Sequence, residues 1–307
     1  MSKYLDNKEL FLGATTTQYG NHMVMTNVMK PGKTKYINID TRFREDYDMN
    51  TLSKQNVSLP ERYTDVRSIS VVSAEIPMSY YNISSALGNN SFKVTKRTDL
   101  SDIHIIIIPD GEYTLTELMN EIKINDVSTP IIKAVTKDDI TKKVNLNTTA
   151  GAVDPIFDFT IDENGNRSRF DFKSSLGWLL GFRKPIVDDG TVDNIASSLP
   201  SIGGPRYLYL VVDEFTSSGN QSSFVSPLPN SLINKNILAR ISVSKQDYPF
   251  GSILPANLSN GLLMTDVRSY TGKVDIQKLN IQLVNEFGNV IDLNGDDFSF
   301  CLKIEHE

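Results

Sequence analysis

The chain has 307 residues, 39% of them hydrophobic and 22% charged, with a formal net charge of −6 and a single cysteine. That length suffices for one large β domain or two smaller ones, and the composition excludes a disordered or membrane-embedded class. A weakly acidic surface offers no general attraction for nucleic acid, one thiol cannot close an internal disulfide, and no stretch approaches the ~20 apolar residues of a bilayer-spanning helix.

Residues 1–35 read as an N-terminal arm. MSKYLDNKELFLG carries charges where a signal peptide is apolar. Gly13, Gly20 and Gly32 interrupt any period, and Lys30, Lys33 and Lys35 make a local basic patch. The segment is either a frayed terminus or an arm that orders on a neighbouring subunit, presenting Leu10, Phe11, Leu12, Met23, Met25 and Met29.

Strand signals begin at Tyr36. Ile37, Ile39 and Thr41 share one face, and Asn38, Asp40 and Arg42 the other. A polar loop is expected from there through residue 60, then a β-rich run from Val66 to Ile76 that Pro77 ends, with Tyr80, Tyr81 and Ile83 as a second short strand. Phe92–Thr95 and Ile103–Ile108 read as two further strands. Thr114 fits an N-cap with Glu117 as its capping-box partner, and Leu115, Leu118, Met119 and Ile122 form one stripe of a helix. Strands follow around Ile131–Val135 and Phe157–Ile161. Asn164-Gly165 signals a hairpin, and Ser174 to Phe182 reads as a short helix capped by Ser and closed by Gly181.

After residue 200 the pattern is strongly β. Tyr207–Phe215 is apolar on both faces, as in a strand between two layers. Ile237, Ala239, Ile241 and Val243 alternate with Leu238, Arg240, Ser242 and Ser244, Leu279, Ile281 and Leu283 with Asn280, Gln282 and Val284, and Phe298, Phe300, Leu302 and Ile304 with Ser299, Cys301, Lys303 and Glu305. Turns rich in Gly, Asn and Asp separate these runs. The fold class is therefore mainly β, a jelly-roll sandwich with an α+β insertion and an extended N-terminal arm. The arm spans 1–35, the first sandwich strands 36–90, the insertion 91–183 and the remaining strands 184–307. Tyr207, Tyr209, Ile281, Phe298 and Phe300 are candidate core residues.

Chemistry-bearing patterns are sparse. His22, His104 and His306 are not spaced as metal ligands, and Cys301 has no cysteine partner. A lone histidine in a strand and a lone thiol beside Phe300 both read as structural. Asp292, Asp296 and Asp297 surround Asn294-Gly295, but without EF-hand spacing the residues fit a tight turn. Gly203-Gly204-Pro205 precedes a strand and so is not a phosphate loop. Arg42, Phe43, Arg44 and Tyr47 are too few for a single-stranded nucleic-acid platform. Asn-x-Ser/Thr sequons, among them Asn82-Ile83-Ser84, read as chance. No catalytic residue, cofactor or metal site is expected.

The segment Arg268 to Leu283, followed by Glu286 to Phe300, resembles the C-terminal strands of minor capsid and penton-type proteins of nucleocytoplasmic large DNA viruses. Val72-Ser73-Ala74-Glu75-Ile76-Pro77 with Gly88 to Phe92, Pro109 to Thr114 with Glu117-Leu118, and Leu179-Leu180-Gly181-Phe182 extend the resemblance over most of the chain after residue 36. The arm shows no such match. The resemblance implies a jelly-roll core, a virion location after assembly in host cytoplasm, and no catalytic residues. It implies a penton-type subunit at the fivefold vertices of an icosahedral shell. Its expected partners are itself as a homopentamer, the major capsid protein and other minor capsid proteins, with no specific nucleic acid and no transmembrane segment. The alternatives are an internal cement protein linking major capsid trimers and a receptor- or glycan-binding vertex module, for which Phe224 and Tyr248 are the aromatic candidates.

Overall fold

The computed structural model describes residues 16–17, 20–21, 32–44, 53–126, 131–148, 155–215, 224 and 236–307. Leu10, Phe11, Leu12, the arm methionines and Tyr47 lie outside them. Two-residue strands β1 (Thr16–Thr17) and β2 (Gly20–Asn21) pair with each other. A main unit opens with β3 (Lys33–Asp40) and β4 (Lys54–Pro77). Next come β5 (Ser91–Lys96), β6 (Asp99–Ile107), helix α1 (Leu115–Ile124), β7 (Ile132–Lys137), β8 (Val144–Thr148), β9 (Pro155–Asp158), helix α2 (Leu176–Leu180), β10 (Ile186–Val187) and β11 (Asp193–Ile195). The chain returns to the main unit with β12 (Tyr207–Asp213), β13 (Ile237–Ser242), β14 (Ile253–Asn257), β15 (Leu263–Thr265), β16 (Arg268–Val284) and β17 (Ser299–His306). The protein is mainly β, its ladders are antiparallel, and the main unit is a jelly-roll-like sandwich.

One strand makes the sandwich. β4 is 24 residues long. Its first half pairs with β16, which continues to β12, β13 and β15; its second half lies between β17, with β3 beyond, and β14. The sheet curls so that the inner faces of both halves enclose one core, from Ile37 and Ile39 through Leu208, Leu210, Ile281, Phe298 and Phe300. The curl is written in the spacing of the buried residues. Inward positions on β4 are Val66, Ile69, Val71, Ala74 and Ile76. The two three-residue steps fall where the register with β17 slips, at Arg67 and at Val72. Each is a β-bulge, which adds one residue, restores the inward phase and sharpens the local twist.

The loop expected up to residue 60 is a strand from Lys54. Gln55 and Leu59 are buried while Lys54, Asn56 and Ser58 are exposed, a period of two, and Val57 pairs with Leu279. Pro60 is tolerated because the β16 ladder is broken between Ser58 and Tyr63. Lys33 and Lys35, expected in the arm, belong to β3 and pair with His306 and Ile304. The short strand expected at Tyr80–Ile83 is a single bridge from Ile83 to Gly111. Tyr207 and Tyr209 are only half-buried: Leu208, Leu210 and Val212 take the inward positions of β12. The outer face of that strand is covered by a small cluster of Val211, Ile237, Val284, Tyr209, Phe224 and Val290. Ile237 sits there and not with Ala239 because a register shift falls at Leu238.

The insertion has its own core, from Ile83 to Ala196, around Phe92, Phe157, Phe159, Leu118, Ile122 and Leu180. It holds a four-stranded sheet (β10-β9-β5-β6) and a three-stranded one (β11-β8-β7). Val187 and Ala196, which the sequence reading grouped with the closing strands, pack in this core. The capping box of α1 is complete, with Thr114 Oγ1 accepting from the Glu117 N–H and Glu117 accepting from the Thr114 N–H. Ser175 caps α2, and Gly181 closes it at φ 100°. The two units are tied at Asn82, whose side chain donates to Tyr113 O and Ile202 O, and by the Lys245–Glu112 ion pair at 2.9 Å.

Candidate functional site

Groups capable of chemistry are held by structural partners. His104, on β6, lies between two carboxylates: Nδ1 is 2.6 Å from Asp126 Oδ1 and Nε2 is 3.0 Å from Asp102 Oδ1. Both contacts are hydrogen bonds at once when the ring carries both protons. Asp126 also accepts the Ile132 N–H, so the knot fastens β6 and the end of α1 to β7. Lys96 holds the Asp102 carboxyl below its usual range. Burial, with Glu75 nearby, pushes the Cys301 thiol up, away from the thiolate that a nucleophile needs. Asp297 accepts from Thr41 Oγ1 at 2.7 Å and pairs with buried Arg44. Asp292 accepts the Asn294 N–H in a turn where Asn294 and Gly295 both have positive φ. Among the described residues, no group of three or more His, Cys, Asp or Glu could hold a metal ion.

A buried charge pair stands where β12 meets β16. Arg268 Nη1 donates to Glu214 Oε2 at 2.7 Å and to Val212 O at 2.8 Å, and Nη2 donates to Ile237 O at 3.3 Å. Tyr270 donates to the other Glu214 oxygen at 2.7 Å. Burial and that carboxylate hold the Tyr270 hydroxyl protonated far above neutral pH. The pair joins the end of β12 to the start of β16, away from the Asn280–Val284 stretch where the two strands are laddered.

Distinctive surface features lie on the rims of the sandwich. β14 and β15 do not pair with each other: β14 pairs with β4 and β15 with β13, so the segment joining them is an arch between the two halves of the sheet. Phe250, Ile253, Leu258, Met264 and Val267, on and beside this arch, are 45–63% exposed. Five large apolar side chains within eighteen residues of chain are thus exposed there, as are Ile186, Val192, Ile195 and Leu199 on the insertion. The sequence reading passed over β14. Its signal was the alternation of buried Leu254 and Ala256 with exposed Ile253 and Pro255, hidden by a proline that an edge strand tolerates.

A groove of about 410 Å³ runs between β3 and the first half of β4, lined by Ile37, Ile39, Phe43, Gln55, Val57 and Leu59 among others. Phe43 is 82% exposed at its mouth. Gln55 is 4% exposed, and both its amide atoms are buried without a hydrogen-bond partner. A bare buried carboxamide costs about 1–3 kcal/mol, a cost carried inside the sandwich, since neither amide atom reaches the groove surface. Phe224 and Tyr248 make no aromatic pocket. Phe224 stacks edge-on against Tyr209, with centroids 6.3 Å apart, and Tyr248 packs on the main core.

No family model matches the chain, and no curated protein matches it. Among solved structures the chain is similar to the mavirus penton protein, at 9% identity and a TM-score of 0.40, over 90% of this chain and 100% of that one.

Proposed function

We propose that the chain is a structural, non-catalytic subunit of a virion shell, a penton-type protein whose copies associate head to tail into a fivefold ring. The observation that carries this reading is the apolar arch: Phe250, Ile253, Leu258, Met264 and Val267 face solvent from a rigid sandwich, an arrangement that marks a protein–protein contact. The chemistry of the described interior agrees, since His104, Cys301, Asp297 and Glu214 are each held by neighbours that suit a scaffold. A heterologous contact closes into a ring when its rotation divides a full turn. The jelly-roll core supplies stiffness, and the rims and loops supply contact surface.

Analytical ultracentrifugation and negative-stain microscopy of the purified full chain test this. Fivefold rings are the expected result. A chain that is monomeric at every concentration and joins a separate trimeric shell protein would assign it to internal cement instead, and hydrolase activity lost on substituting a buried carboxylate would overturn the structural role.

A further inference from the structure

We propose that β6 is a docking edge at which a second copy of the chain adds its own β6, antiparallel and about a two-fold axis at Ile105. The inference does not rest on the head-to-tail ring, since a two-fold contact joins two copies and stops there. β6 is the outermost strand of the sheet β10-β9-β5-β6. The Ile108 N–H donates to Asn90 O at 2.7 Å, and the ladder continues in step, with Ile106 opposite Phe92 and His104 opposite Val94. By the alternation of an antiparallel pair, residues 104, 106 and 108 bond to β5, while Ile103, Ile105 and Ile107 turn their N–H and C=O groups to the free edge. Their side chains share the outer face, since Ile106 and Ile108 fill the core. Ile103 is 51% and Ile107 41% exposed, and Ile105 is half-buried beneath Gly165.

The other edges among the described strands are blunted. β1, β2, β10, β11 and β15 have two or three residues each. β14 carries Pro255, and its Asn257 N–H is taken by Asn260. β3 carries Lys33 and Lys35, and β7 Lys133 and Lys137. Short length, proline and lysine are the devices that keep an edge from pairing. Ile103-His104-Ile105-Ile106-Ile107-Ile108 has none of them and no acidic residue, the composition of a segment that pairs with its own kind. The register names the occupant. In an antiparallel pair centred on Ile105, Ile103 of each copy stands opposite Ile107 of the other, and every open N–H and C=O from Ile103 to Ile107 is bonded. On the inner face Asp102 and His104 stand opposite Ile108 and Ile106, so no charge faces a like charge.

Sedimentation velocity of the full chain over a concentration series tests this with two double variants at the exposed positions. Ile103→Lys with Ile107→Lys sets lysine opposite lysine on both sides of the axis. It is expected to associate roughly tenfold more weakly than Ile103→Lys with Ile107→Glu, which sets lysine opposite glutamate in the same register. Both pairs of changes lie outside the insertion core, so the Trp178 fluorescence midpoints of the two variants in urea are expected to agree. Association of the lysine–lysine variant equal to that of the natural chain overturns the contact. Equal loss in both variants overturns it too, since only the register centred on Ile105 brings residue 103 against residue 107. Fivefold rings that both variants leave unchanged would refute β6 pairing and leave the shell role standing; a chain monomeric at every concentration would refute both.

Discussion

Removing Arg268 isolates one interaction whose cost follows from its burial. Arg268→Met takes away the guanidinium and leaves the Glu214 carboxylate, 6% exposed, with the Tyr270 hydroxyl still donating to it. An uncompensated buried charge of that kind costs about 3–5 kcal/mol. Two backbone carbonyls, Val212 O and Ile237 O, also lose a donor. Replacing both charges, as Glu214→Leu with Arg268→Met, removes the stranded charge, so the double variant is expected to be more stable than either single variant.

The assay can assign the loss to one half of the molecule. The chain has one tryptophan, and Trp178 lies in the insertion, edge-on to Phe172 with Arg183 4.0 Å from its ring centroid. In urea, Trp fluorescence therefore follows the insertion, while far-UV circular dichroism follows both units. With a slope of about 2–3 kcal/mol/M, Arg268→Met is expected to lower the main-unit midpoint by roughly 1–2.5 M and to leave the fluorescence midpoint in place. A double variant that loses as much as the two singles summed would refute the pairing argument. A fluorescence midpoint that moves in step would show that the two cores unfold as one.

Three further outcomes follow from local geometry. His104→Leu strands the Asp126 carboxylate, which is fully buried, and is expected to lower the Trp178 transition by about 1–3 kcal/mol; an unmoved transition would rule out the knot. Gly181→Ala forces a side chain into φ 100° with its Cβ 2.2 Å from Ser198 O. It should cost more than about 1 kcal/mol in the same assay, and a neutral result would mean the turn has room to shift. Because its folded thiol pKa is raised, Cys301 carries less thiolate at pH 8 than an unfolded cysteine. Iodoacetamide should therefore alkylate it several-fold more slowly in the folded chain, with a pH midpoint above that of a free thiol; equal rates would sink the burial argument.

What was legible in the sequence was local. Thr114 and Glu117 are three residues apart and announce α1 without knowledge of the rest of the fold, and the period of two in Phe298–Ile304 survives because β17 is flanked by partners along its length. What was hidden depends on partners far along the chain. Gln55 looks like a loop residue until β16, more than two hundred positions later, pairs with β4 and buries it. Tyr207 and Tyr209 look like core until Leu208 and Leu210 are seen to take the inward face. The Arg268–Glu214 pair joins residues 54 positions apart, and neither carries a local mark.

The bulges of β4 let one strand serve both halves of the sandwich. A strand of 24 residues with strict alternation would keep one inward face along its whole length and carry only the ordinary sheet twist. The extra residues at Arg67 and Val72 re-phase the inward side chains twice within ten positions and add twist at each step. The same strand can then border β16 at one end and β14 at the other. The curl leaves β3 and β14 as outer strands on the two sides of a narrow half-sheet, and β3 and the first half of β4 together line the groove. The exposed arch and the groove at the rims thus both border the one long strand that closes the sandwich. Any change that removes a bulge acts on the core and on both rims together.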